Sequence, residues 1–338
     1  MIISPRIPLH RLVMSLSEAL DCAYANLANH QLRVAYMATP MAERLGMSDE
    51  EILDVFLAAA VHDIGLVSVE NRAAAIWHND LEKVTWHGEA GFELLRSSAL
   101  FAKPARAIRY HHIAWDDGRG AERDGEAVPK ASHILSVADA AERQIDRGLP
   151  ILEQGDAILK RMSEGAGRLY HPECVAALRD AAQAEAFWLD LASERIYSMI
   201  LQQITWPMLT IDLPEIESIA EIFARVVDVA SRWTATHTAG VAATAVALAE
   251  RLGFSPREVQ MMRAAGYLHD LGKLSVPQAI LDKPGKLSPA EWTVVKGHSY
   301  YTFRIVDTIG GLPQIAEWAG FHHERLDGQG YPFRHPGS

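Results

Sequence analysis

The sequence predicts an all-α protein made of two tandem copies of one helical domain. Three observations carry that reading: histidines recur at two fixed offsets, helix-start signals recur with them, and strand signals are scarce. The chain has 15 histidines. His30, His62, His87, His111 and His112 are followed by His237, His269, His298, His322 and His323, at separations of 207, 207, 211, 211 and 211 residues. One four-residue insertion between the second and third positions accounts for the change of offset. Three matches beyond the two that fix the offsets would arise by chance on the order of once in 10⁴ trials, so the chain reads as a duplication. His10, His78, His133, His171 and His335 fall outside the set and read as surface or hydrogen-bonded histidines.

The scaffolding repeats in the same order. Ser48 with Glu51 forms a capping box, after which Ile52, Val55, Ala59 and His62 share one helical face. Leu81, Val84 and His87 share the next. In the second copy Ser255, Pro256 and Glu258 open a helix whose face is Val259, Met262, Gly266 and His269. Ser288, Pro289 and Glu291 open another, with Trp292, Val295 and His298 on one side. Pro207 and Pro214, flanking TWPMLTIDLP, mark a connector. The expected boundaries are 1–200, a connector 201–214, and 215–338. The apolar stretches AFWLDLASERIYSMILQQ and EIFARVVDVA are expected to pack the copies together or to pair two chains.

Composition sets outer limits. With 338 residues, 49% hydrophobic and 22% charged, the chain can bury two cores. A net charge of −11 argues against a nonspecific nucleic-acid binder, while leaving room for an anionic ligand in one cationic or metal-lined pocket. Cys22 and Cys174 form no disulfide framework. No basic-then-apolar leader and no apolar run near the ~20 residues of a membrane span are present, so a cytoplasmic protein is expected.

Each copy places His and Asp side by side at a helix end, His62-Asp63 and His269-Asp270. Neighbours on a helix point about 100° apart, so the imidazole can serve one ion while the carboxylate reaches a second. His30, His87, His111, His112 and Asp139 complete a set suited to two ions with positions open for water and substrate. Nitrogen and oxygen donors without thiolate favour iron, manganese or zinc.

In the second copy the motifs read LHDLGKLSVPQAIL, KGHSYY and FHHERLDGQGYP. They resemble the HD-GYP phosphodiesterases, a branch of the HD-domain metal-dependent phosphohydrolases, over roughly 215–338, with a degenerate version over about 15–185. The resemblance implies helical HD-type domains, a centre of iron or manganese, and hydrolysis of cyclic di-GMP or a related cyclic dinucleotide to a linear product. It implies His237, His269, Asp270, His298, His322 and His323 as metal ligands, with Asp270 bridging. It places Lys273 beside the phosphodiester, and Gly328, Gly330, Tyr331 and Pro332 in the substrate loop.

Both copies depart from the family. The first keeps every ligand position, including Asp139 in SVADAAERQ, but has Leu66 where the second has Lys273, and HHIAWDDGRGA in place of HHERLDGQGYP. It is expected to bind metal and to handle the dinucleotide poorly. In the second, the step that leads from His112 to Asp139 lands at 350, past Ser338, so a terminal carboxylate and closing helices are expected to be missing. Asn26 and Trp233 stand where three-metal members carry glutamate, which favours two ions. Three other readings compete: a mononuclear nucleotide phosphohydrolase, a non-catalytic cyclic-dinucleotide receptor acting on a signalling partner, and a scaffold.

Overall fold

Three capping boxes start the helices that carry the chemistry. Ser48, Ser255 and Ser288 each accept from the backbone N–H three residues on, and Glu51, Glu258 and Glu291 each reach back to the serine N–H. Two orphan donors per helix are thereby satisfied. The computed structural model describes residues 5–22, 29–68, 81–204, 209–230 and 237–335. Asn26, Trp233, Pro207 and the side chains of Leu81 and Val84 lie outside the described residues.

The architecture is all-α, as expected from the sequence. Helices α1 (Leu9–Cys22), α2 (His30–Arg44), α3 (Asp49–Ala60), α4 (Leu81–Leu95), α5 (Ala102–Arg109), α6 (Lys130–Glu142), α7 (Gly155–Gly165), α8 (Pro172–Ala181), α9 (Glu185–Ala192) and α10 (Ile196–Gln203) come first. The second series is α11 (Leu213–Ala230), α12 (His237–Arg251), α13 (Pro256–Leu268), α14 (Gln278–Leu281), α15 (Pro289–Ile309) and α16 (Pro313–Gly320). Strands among the described residues are two-residue pieces. One such pair sets Ile7 opposite Ile211 and another sets Glu122 opposite Ala127.

The chain divides into two compact units. One holds residues 29–66 and 81–204, and the other holds 5–22, 67–68, 209–230 and 237–335. Helix α1 thus packs on α15 and on the short 3₁₀ turn Leu271–Ser275, in the unit of the second copy, although the sequence boundary at 200 groups it with the first. The reason is local: Ile7 pairs with Ile211 and Leu9 N–H donates to the Leu209 carbonyl at 2.8 Å. The apolar face Leu9, Leu12, Leu16, Leu20 is fully buried there.

In the first unit, α2 lies under α6, α8 and α10, and Val34, Ala38 and Met41 are sealed. In the other unit the matching helix α12 packs on α11 and α13, and among the described residues no counterpart of α6 lies over it. Val241 and Ala245 are half-buried and Leu248 is 56% exposed.

Candidate metal centres

Each centre is assembled from equivalent helix positions. His237 begins α12, His269 and Asp270 follow α13, His298 stands within α15, and His322 and His323 follow α16. The first copy repeats this with His30 on α2, His62 and Asp63 after α3, His87 on α4, and His111 and His112 after α5. The paired His-Asp residues stand just past the last helical turn rather than within it.

Five imidazoles are oriented by one rule. Nδ1 lies against the carbonyl three residues back: His62 on Ala59 at 2.9 Å, His111 on Ile108 at 2.6 Å, His269 on Gly266 at 2.8 Å, His298 on Val295 at 2.6 Å and His322 on Ala319 at 2.7 Å. A carbonyl only accepts, so Nδ1 carries the proton and Nε2 keeps its lone pair for an ion. His30 differs, with Nδ1 2.6 Å from Oε2 of the buried Glu142.

The carboxylates stand between the histidine groups. Asp270 Oδ2 is 3.1 Å from His269 Nε2 and 3.8 Å from His237 Nε2, while its Oδ1 is 3.5 Å from His298 Nε2 and 4.0 Å from His322 Nε2. Asp63 repeats the division: Oδ2 faces His62 and His30 at 3.4 and 3.6 Å, and Oδ1 faces His87 at 3.3 Å. Asp139 joins from α6, 3.3 Å from His30 Nε2, with Arg143 Nε donating to it at 2.8 Å. Four groups result, His30/His62/Asp63, His87/His111/His112, His237/His269/Asp270 and His298/His322/His323, and in each the donor atoms lie within 4.8 Å of one another.

The donor set fits metal ions. His298 and His322 both spend their Nδ1 protons on carbonyls, yet their Nε2 atoms sit 3.2 Å apart. Two facing lone pairs at that distance repel unless a cation joins them. His62 Nε2 and Asp63 Oδ1 are buried with no hydrogen-bond partner, which costs free energy unless an ion supplies one. Electrostatics agree. Burial, then neighbouring imidazoles, pulls His111 and His322 down to about 3 and His323 to about 4, so all three are neutral at ordinary pH, as binding of an ion would require. Burial raises Asp63, Asp139 and Asp270, but the surrounding histidines, with Arg143 or Lys273, outweigh it and hold all three carboxyls well below the usual range.

The two centres differ in access. His30, His62, Asp63, His87, His111, His112 and Asp139 are all buried, whereas the His237 side chain is 48% exposed, since no described residue covers α12 as α6 covers α2. Lys273 Nζ lies 2.6 Å from Asp270 Oδ2 and, with His269 and His322, lines a cavity of about 440 Å³. A second cavity of about 960 Å³ is lined by His323, Gly328, Gly330 and Tyr331; Pro332 is not among its lining residues. Tyr331 stacks on His323 with centroids 4.7 Å apart. The sequence pattern did not single out Glu142, the last residue of α6, and Arg143 just past it, which follow Asp139 at i+3 and i+4, nor Thr302, whose hydroxyl donates to the His269 carbonyl and accepts from Gly272 N–H.

The comparisons with known proteins bear on both copies. HD-domain family models match residues 27–144 and 217–338. A 3′3′-cGAMP-specific phosphodiesterase 1 of Vibrio cholerae is 30% identical over 325 residues, covering 94% of this chain and 75% of that one. The 3′3′-cGAMP-specific phosphodiesterase 3 of the same organism is 27% identical, covering 96% and 81%. A cyclic di-GMP phosphodiesterase of Thermotoga maritima is 42% identical over 29% of this chain. The crystal structure of a V. cholerae cyclic GMP-AMP phosphodiesterase, V-cGAP3, shares the fold with a TM-score of 0.67 at 24% identity, covering 94% of this chain and 83% of that one. With histidine groups repeated at HD-domain spacing and relatives matched along nearly its whole length, the chain belongs to the HD-GYP branch of the HD-domain phosphodiesterases and carries two HD domains in tandem.

Proposed function

We propose that the C-terminal copy hydrolyses a cyclic dinucleotide to a linear product at a two-ion centre, and that the first copy holds ions without hydrolysing. The observation that carries this is the division of Asp270, one oxygen toward His237 and His269 and the other toward His298 and His322, beside two open cavities. His237, His269 and Asp270 would hold one ion, His298, His322 and His323 a second, with Asp270 shared; iron or manganese suits the nitrogen and oxygen donors. Such a pair supplies an activated water and positive charge at the scissile phosphate. The chain's own residues do the rest. The carbonyl-anchored histidines keep their Nε2 atoms aimed inward, Lys273 brings a compact cation against the phosphodiester, and Tyr331 offers a ring for a base. In the first copy Leu66 removes the lysine and Gly120 replaces Tyr331.

Two substrates compete. The motifs resemble cyclic di-GMP enzymes, whereas the relatives matched over both copies carry 3′3′-cGAMP-specific names. The test is linear-product formation from each cyclic dinucleotide by iron- or manganese-loaded protein. His269→Ala with Asp270→Ala abolishes turnover and the metal bound by the second copy together. Full turnover in that double variant excludes the assignment.

A further inference from the structure

The loop after the paired histidines builds a cavity in each copy. The first copy's cavity, about 720 Å³, is the positional counterpart of the 960 Å³ cavity in the second. Thr85, His112, Asp116, Arg119, Gly120 and Arg123 line one; Lys296, His323, Asp327, Gly330, Tyr331 and Arg334, each 211 residues later, line the other. The hollow is kept while its chemistry is rewritten.

Gly120 stands in place of Tyr331, and a Cβ there would meet the Ala114 carbonyl oxygen at 2.0 Å, so the loop admits no aromatic ring. His112, 5% exposed and a member of the His87/His111/His112 group, forms part of the wall. Arg119 replaces Gly330, and Arg168 enters from the segment before α8. Backbone bonds fix that segment to the loop: Trp115, Asp116 and Asp117 N–H donate to the carbonyls of Leu169, Arg168 and Gly167 at 3.1, 2.8 and 2.8 Å. The Trp115 ring packs 4.0 Å from His171 and 5.2 Å from His133, centroid to centroid, so the loop is preorganised. Arg119, Arg123 and Arg168 face two lining carboxylates, Asp116 and Glu122, and Asp116 pairs with Arg119 at 3.3 Å. Among the lining side chains three cations stand against two acids, and Arg123 also pairs with Asp124 just outside the lining at 3.6 Å.

We infer that this cavity binds the phosphate group of a nucleotide and holds it uncleaved. Guanidinium forks match phosphate oxygens. Without an aromatic wall the site selects phosphate over base, so it takes guanine and adenine nucleotides alike. The inference rests on the reading of the first copy as an ion-holding, non-hydrolysing domain and is independent of hydrolysis by the second.

The experiment uses the full chain carrying His269→Ala and Asp270→Ala, loaded with manganese, titrated calorimetrically with 5′-GMP and with 5′-AMP. One saturable site per chain is expected, with affinities for the two nucleotides within about threefold. Adding Arg119→Ala and Arg168→Ala weakens it about tenfold or more. Both arginines are exposed, so metal content and melting temperature stay unchanged in that variant. No saturable binding, or binding indifferent to the two arginines, overturns the inference. Because the second copy is disabled throughout, a failure of the hydrolase reading shows up separately, as absent turnover in the unaltered chain.

Discussion

Lys273 holds its ammonium 2.6 Å from Oδ2 of Asp270, the oxygen that also faces His237 and His269. The first copy has buried Leu66 at that position. Lys273 belongs to the short turn after Asp270 and bears none of the nitrogen donors gathered for an ion. Lys273→Ala therefore leaves metal per chain unchanged and lowers turnover about 10- to 100-fold by removing a cation from the phosphodiester. Metal analysis beside initial rates decides it, since loss of metal would make Lys273 a structural partner of Asp270.

The two copies separate in a metal count. Two ions per copy predict about four per chain when both are loaded. His62→Ala with Asp63→Ala removes the first copy's pair and keeps turnover within about threefold, because the C-terminal centre draws all its donors from its own unit. The matching His269 and Asp270 variant removes the other pair and all turnover. Mass spectrometry of protein purified without air or chelator reads both. Collapse of turnover in the His62 and Asp63 variant would relocate the active centre to the first copy.

The candidate metal donors were legible because a duplication keeps spacing and few side chains bind ions, so the five histidines of each copy and the His-Asp pairs announce themselves by position, whereas Asp139 was read from the SVADAAERQ segment alone. Glu142 and Arg143 were not legible. Acids and arginines at i+3 and i+4 are ordinary on exposed helix surfaces, and only the packing of α6 on α2 turns these two inward. The side of the molecule to which α1 belongs was equally hidden. Its leucine spacing shows that a face is buried, whereas its partner is set by the Ile7–Ile211 pairing more than 200 residues away. The contrast between sealed His30, 1% exposed, and open His237 comes from what lies over α2 and α12 among the described residues.

Gly272 and Gly65 are a matched pair of close approaches. A Cβ on Gly272 would sit 1.9 Å from the His298 carbonyl oxygen and 2.7 Å from Thr302 N; on Gly65 it would sit 2.0 Å from the His87 carbonyl oxygen. Each glycine lets the turn after the His-Asp pair press against the helix that carries the next histidine. Gly272→Ala forces them apart, costs about 2–4 kcal/mol and lowers metal affinity in the second copy. Gly65→Ala does the same in the first copy while turnover persists. Thermal melts with metal counts test both, and full metal retention with unchanged melting would show that the turn relaxes freely.

Acid acts on the metal-free chain through its buried imidazoles. His111 and His322 are pulled down to about 3 by burial and by neighbouring histidines, and His133 to about 4 by burial and His171. The folded chain refuses protons that an unfolded imidazole accepts below about 6.5, so the stability these residues lend is complete above that pH. It is lost as pH falls toward 4, by up to about 1.4 kcal/mol per pH unit for each such histidine. His30 runs the opposite way: burial lowers it, but Glu142 and Asp139 outweigh that and hold it well above 6.5, so its contribution persists in acid and fades only in base. With His323, also pulled down to about 4, these depressed imidazoles outweigh the one raised, and the metal-free melting temperature falls steadily from pH 7.5 to pH 5. Metal-loaded protein falls more steeply near the lower end, because protons and ions compete for the same Nε2 lone pairs. A melting temperature that is flat or rises toward pH 5 would mean that these histidines are protonated in the folded chain, and the neutral-ligand geometry would have to be abandoned.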